Sequence, residues 1–170
     1  MIIGLSGNNG SGKTTFGRAL GAEFLCMGFS VRVCAFADPL YDICTRLYGL
    51  QPKQFYDEYP EEKIRTCRSG FSVRDTLNNV GAALRATDSD IFVNALKADV
   101  EITIVTDVRF ANEAGRCDKV YAIIRKNATE NVGVLLGHDG LIENDRDVSA
   151  QRECAVELAH FIANEMLVKN

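Results

Sequence analysis

Apolar positions along the chain change rhythm from one segment to the next. Residues 2–6 (IIGLS) form a short continuous apolar run ending in glycine, the pattern of a buried strand. Over 14–27 Phe16, Leu20, Phe24 and Met27 recur at helical intervals, and Gly28 ends that segment. Residues 31–36 (VRVCAF) predict a second strand. Asp38 then reads as an N-cap before Pro39 at the first helical position, with Leu40, Ile43, Cys44 and Leu47 as the buried stripe. From 50 to 71 the rhythm is lost: Pro52, Pro60, alternating charges, and Lys63, Arg65 and Arg68 predict loop or short helix, and mobility. Ser72 and Asp75 fit a capping box, followed by Val73, Leu77, Val80 and Leu84 at helical spacing. Thr87 and Asp90 fit a second box, for a helix reaching about residue 98. Residues 102–106 (ITIVT) and 119–124 (KVYAII) predict two more strands, and a weak fifth lies near 141–144. A last helix from about 150 places Ala155, Ala159, Ile162 and Met166 on one face.

Strands alternating with helices imply an α/β fold: a parallel sheet of about five strands, covered by helices on both faces. Right-handed crossovers put ligands at the carboxyl ends of the strands. With 170 residues the chain suits one domain, 1–170. Its 46% hydrophobic and 25% charged residues are ordinary for a globular protein, no apolar run approaches the roughly 20 residues of a membrane span, and no signal-peptide pattern opens the chain. The expected location is cytoplasmic, with no membrane partner. The six cysteines are scattered singly, which argues against a zinc site or a disulfide framework and makes them small packing residues. His138 and His160 are isolated, and His160 falls within a helical pattern as a structural residue. A net charge of −4 argues against a broad nucleic-acid surface, although 12 arginines against 7 lysines leave room for a small basic pocket.

Residues 7–14 supply the chemistry. Gly7, Asn8, Asn9, Gly10, Ser11, Gly12, Lys13 and Thr14 match G-x-x-x-x-G-K-[ST], between an apolar strand and an amphipathic helix. Glycines let the backbone curl so that its N–H groups converge on an anion, and the helix N-terminus adds partial positive charge. ATP and Mg²⁺ are the expected cosubstrates. Lys13 reaches the β- and γ-phosphates, Thr14 binds Mg²⁺, and Thr15 supports a phosphate. GTPases, ATPase motors and small-molecule kinases share this loop, so other residues must identify the acceptor.

Asp107 follows ITIVT at a strand end, as a second acidic group near Mg²⁺ or as half of an ion pair capping the strand. Arg109 stands two residues on, and Glu113 begins or supports the next short helix. Arg74, Asn78, Gly81 and Arg85 line one helix face, either a floor for a nucleotide monophosphate or a solvated basic face; Gly81 would let a ligand approach the backbone. Phe92 is a base-stacking aromatic or a core residue, and Asp38 a cap alone or a cap that also faces the acceptor. Arg125 and Lys126 end the fourth strand and open a loop, to about 140, that could act as a lid.

Several stretches together resemble the phage-type deoxynucleoside monophosphate kinases: LSGNNGSGKTT, FADPL at 36–40, SVRDTLNNVGAALR at 72–85, DIFVNAL at 90–96 and TDVRFANEA at 106–114. The likeness continues into AIIRKN at 122–127 and, more weakly, LIENDRD at 141–147. It implies an adenylate-kinase-like P-loop fold and ATP-dependent phosphorylation of deoxynucleoside monophosphates for DNA precursor supply, in the host cytoplasm if phage-encoded. Catalytic roles fall on Lys13, Arg109 and Asp107, and the donor takes the loop with Arg125. The acceptor takes Asp38, Arg68, Arg74, Asn78, Arg85, Phe92, Asp107 and Glu113, and the metal Thr14 and Asp107. The acceptor-side segment is about 49–71 and the lid about 126–140. A family tryptophan corresponds to Phe92, and the stretch between about 49 and 71 is trimmed. A homodimer is as open as a monomer. The rivals are another small-molecule P-loop kinase, such as a dephospho-coenzyme A kinase, and a nucleotide-binding switch or assembly ATPase without a small acceptor.

Overall fold

A computed structural model describes residues 1–55, 60–63, 70–125, 137–144 and 148–168 of the protein. Strand β1 (Ile2–Ser6) is buried at every residue, as its unbroken apolar run predicts. It takes the centre of a five-stranded sheet because both of its edges are paired. On one side lies β3 (Ile102–Val108), and beyond it β2 (Val31–Cys34); on the other lies β4 (Lys119–Ile124), and beyond it β5 (Gly140–Glu143). Every pair is parallel. The α/β reading and all five strands therefore stand.

Two units divide the chain: Met1–Ala35 with Lys97–Asn170, and Phe36–Leu96. The first holds the sheet with α1 (Lys13–Cys26), α6 (Ala111–Gly115) and α7 (Val148–Val168). Its core joins Ile3 and Leu5 of β1, Phe16, Leu20 and Phe24 of α1, Ile102 and Ile104 of β3, and Ala155, Ala159 and Ile162 of α7. Small residues set the spacing. A Cβ at Gly17 would lie 2.7 Å from Thr106 Cγ2, and one at Gly21 2.7 Å from Val33 Cγ2, so these glycines let α1 lie close on β3 and β2. The second unit holds α2 (Asp38–Tyr48), a 3-10 turn at Pro52–Gln54, α3 (Pro60–Lys63), α4 (Val73–Thr87) and α5 (Ile91–Ala95). Tyr41 stacks on Phe55 with ring centroids 4.5 Å apart.

Several boundaries depart from the sequence pattern for local reasons. β3 runs on through Val108, because Ser6 of β1 pairs with Val108. Asp38 is the first residue inside α2, and Ala37 holds the cap position. Leu47, expected in the stripe of α2, is exposed in the last turn before Gly49, whose φ of 69° ends the helix. Ser72 does cap α4: its Oγ accepts from Asp75 N at 3.1 Å, while its hydroxyl donates to Asp75 Oδ2 at 2.6 Å. Thr87 caps nothing. It is still inside α4, where its hydroxyl donates back to Ala83 O at 3.2 Å, and Asp90 takes the N-cap position of a helix that stops at Ala95. His160 lies on the exposed side of α7, 3.9 Å from Glu23. Burial pushes the Cys117 thiol up to about 12, which suits a packing role for that residue and not that of a nucleophile. Cys44 is buried, whereas Cys26 and Cys154 are exposed and depart from the packing expectation. Among the described residues no helix is long and apolar enough to cross a membrane.

Candidate active site

Residues 7–12 leave the end of β1 in a backbone shape that only glycine adopts freely. Gly7, Gly10 and Gly12 have φ of 142°, 76° and 92°. At Gly7 the neighbours are equally exacting, since a Cβ would lie 2.2 Å from Ile123 O on β4. The loop closes on itself through Ser11 N, which donates to Asn8 O at 3.2 Å. It then enters α1 at Gly12 with no side-chain cap on the first turn, so that turn presents its N–H groups as an anion site does. Lys13 is largely buried and bends back along the loop, its Nζ donating to Gly7 O at 2.9 Å and Asn8 O at 2.7 Å. Ser11 Oγ is fully buried with no hydrogen-bond partner among the described residues. Thr14 and Thr15 are exposed on the first turn of α1, and Asn9 and Gly10 at the crest of the loop. A cradle of turned amides, a lysine folded along it and an orphaned hydroxyl fit the phosphates of a nucleotide.

Asp107 is half-buried at the carboxyl end of β3, beside the strand that feeds the loop. With the Thr14 hydroxyl it offers the hard oxygen donors that suit Mg²⁺, an ion that keeps most of its ligands as water and phosphate. No group of three or more His, Cys, Asp or Glu that could hold a metal occurs among the described residues. Arg109 is exposed just past the strand. Glu113 is 2% exposed, and its Oε2 accepts from Arg109 N at 2.8 Å and Phe110 N at 3.2 Å. Its carboxylate is thus occupied at the start of α6, where it sets the turn that carries Arg109.

In the second unit the stripe of α4 is not uniform. Arg74 and Asn78 are exposed, Arg85 is half-buried and Gly81 is buried. Gly81 does not open the backbone to a ligand: a Cβ there would lie 3.2 Å from Leu40 of α2 and 3.3 Å from Arg85 Nη1, so its lack of a side chain serves helix packing. Phe92 is 3% exposed, and the Arg85 guanidinium covers its ring at 4.5 Å from the centroid. That burial is the core alternative considered for Phe92, and it leaves the arginine, not the ring, nearer to solvent. Asp38 is exposed in the first turn of α2. Arg125 is exposed just after β4. Arg68, Lys126 and the lid residues 126–136 lie outside the described residues.

Two contacts to the loop have no motif in the sequence. Asn144 Nδ2 donates to Ser11 O at 2.5 Å, and Gln151 Nε2 donates to Gly12 O at 3.2 Å. Asn144 lies in the weakly family-like LIENDRD stretch, which is the one signal that could have drawn attention to it. A cleft of about 440 Å³ lies between α1 and α7, lined by Thr15, Arg18, Ala19, Ala22, Gln151 and Arg152.

The chain is 30% identical over 138 residues to an Acanthamoeba polyphaga mimivirus protein named "Putative deoxynucleotide monophosphate kinase". The match covers 67% of this chain and 66% of that protein, so the chain spans a little under two thirds of its relative's length. Among solved structures it is similar to a mutant of the Mycobacterium tuberculosis APS kinase, at 14% identity and a TM-score of 0.45 over 94% of this chain and 96% of the other. No protein-family profile matches the chain.

Proposed function

We propose that the protein is a P-loop phosphotransferase that moves the terminal phosphoryl group of ATP to a deoxynucleoside monophosphate. The observation that carries the reading is the loop itself: three glycines at positive φ, an α1 N-terminus with no side-chain cap, and Lys13 folded along the cradle. Similarity to the mimivirus protein supports the choice of acceptor. So does the pairing of Arg74 and Asn78, exposed on one helix face, with Arg85 anchored on Phe92.

The acceptor's phosphate oxygen is already anionic near neutral pH, so the reaction needs no general base. That oxygen forms a new bond to the γ-phosphorus of ATP, the bond from that phosphorus to the β,γ-bridging oxygen breaks, and ADP leaves. The barrier lies in bringing two polyanions into line. Lys13 and the loop amides hold the donor's terminal phosphates, and Arg109 adds charge beyond β3. Thr14 and Asp107 would hold Mg²⁺, which would supply positive charge to offset the negative charge of the phosphates. Arg74, Asn78 and Arg85 hold the acceptor. Such an enzyme would work in the cytoplasm, on free nucleotides, and supply DNA precursors.

A coupled assay tests the reading, with ATP against deoxy- and ribonucleoside monophosphates and dephospho-coenzyme A. Turnover with at least one deoxynucleoside monophosphate, and none with dephospho-coenzyme A, is the expected result. Turnover of dephospho-coenzyme A alone would transfer the protein to the other small-molecule kinases. ATP binding with no turnover of any small acceptor would leave a nucleotide-binding switch.

A further inference from the structure

Two carbonyls of the phosphate loop, those of Ser11 and Gly12, accept hydrogen bonds from side-chain amides. Asn144, the residue after β5, is 7% exposed and donates through Nδ2 to Ser11 O at 2.5 Å. Its own N–H donates to Ile124 O at 2.7 Å, which ties it to the end of β4. Gln151, in the first turn of α7, is 8% exposed and donates through Nε2 to Gly12 O at 3.2 Å. Gly12 packs directly on both: a Cβ there would lie 2.2 Å from Asn144 Nδ2 and 3.0 Å from Gln151 Nε2.

A trans peptide unit is planar, and its C=O and N–H point in opposite directions. The plane whose oxygen Asn144 holds carries the Gly12 N–H. The plane whose oxygen Gln151 shares with Phe16 N, which donates to it at 2.9 Å, carries the Lys13 N–H. With Ser11 O held by Asn144, and Gly12 O held by Phe16 N and Gln151 together, both N–H groups turn the other way. Neither amide belongs to the phosphate-loop motif, and neither reacts.

We propose that Asn144 and Gln151 are positioning residues that aim the Gly12 and Lys13 N–H groups at the terminal phosphates of a bound nucleoside triphosphate. This rests on the nucleotide-binding reading above. The amides act on the polyphosphate and not on a base or sugar, so they distinguish a triphosphate from a monophosphate acceptor. A role in packing alone predicts a lower melting temperature with unchanged affinity in the folded protein.

The experiment compares the wild-type chain with Asn144→Ala and Gln151→Met, the second of which keeps volume while removing the donor. Titration calorimetry with Mg²⁺ follows binding of ATP, inorganic tripolyphosphate and a deoxynucleoside monophosphate. The amide resonances of Gly12 and Lys13 are followed by NMR. Either folded variant is expected to bind ATP and tripolyphosphate about tenfold more weakly, the equivalent of about 1.4 kcal/mol. The factor should be similar for both ligands, monophosphate affinity should be unchanged, and the two amide resonances should move. Wild-type affinity for both polyphosphates in the folded variants, with those resonances unmoved, overturns the proposal while leaving nucleotide binding intact. A wild-type chain that binds neither polyphosphate overturns both. Should Asn144→Ala fail to fold, Gln151→Met decides on the same measurements.

Discussion

The phosphate loop and the α4 stripe each offer positive charge to an anion, by different means. In the loop the donors are main-chain N–H groups, and the curl that gathers them needs glycines at φ values that other residues rarely adopt. On α4 the donors are side chains, and what each can reach depends on its neighbours: Arg74 projects from an exposed position, whereas Arg85 is drawn over Phe92. A site made of backbone is specified by the identity of a few adjacent residues. A site made of side chains on a regular helix is specified by what packs around it.

The largest effect expected is on stability and concerns Phe92. With 3% of its surface exposed, Phe92→Ala should cost about 3–5 kcal/mol, read as a fall in melting temperature. A fall of under about 1 kcal/mol, with the monophosphate KM sharply raised, would return the ring to a base-stacking role and make the α4 region more like an open site.

Lys13→Ala tests the loop as a charge site. Single electrostatic donors of this kind contribute about 3–4 kcal/mol, so kcat should fall roughly 10²–10³-fold in a protein that still folds. Activity within about tenfold of wild type would end the phosphate-loop assignment.

Arg85→Ala tests the second region. Losing a charge-assisted bond costs about 1.5–3 kcal/mol, seen in the monophosphate KM or in kcat with ATP affinity little changed. A loss of ATP affinity instead would assign the stripe to the donor.

Gly10→Ala isolates the main-chain argument. Its φ is 76° and a Cβ would meet nothing within 4 Å, so only the left-handed backbone is penalised, by about 1–2 kcal/mol. ATP affinity should weaken correspondingly, and Gly10→Asn should recover part of it because asparagine tolerates that conformation. If Gly10→Ala binds ATP as wild type does, the loop's function does not depend on its backbone shape at this residue.

Much of the fold was legible because its cues are local. The apolar run of β1 and the 3.6-residue spacing of Phe16, Leu20 and Phe24 each point to one element, and the core is built from them. Departures arise where a local cue meets a competing contact, along the chain or across it. Thr87 and Asp90 have the spacing of a capping box, but α4 continues through Thr87 and its hydroxyl turns back to Ala83. A mid-helix glycine on a polar face reads as access for a ligand, but Leu40, on another helix, takes that space beside Gly81.

By itself the sequence determined the parallel α/β order and the phosphate cradle, since hydrophobic period and glycine identity act over a few residues. Tertiary structure decided how that cradle is held. Asn144 and Gln151 reach Ser11 and Gly12 across 133 and 139 positions of chain, and Asp107 lies within β3 because Val108 pairs with Ser6. Glu113 turns out to be a helix-start acceptor for Arg109 and Phe110, a role decided by where its carboxylate is buried. Contacts of that kind exist only once the strands have taken the order β2-β3-β1-β4-β5, and no local pattern encodes that order.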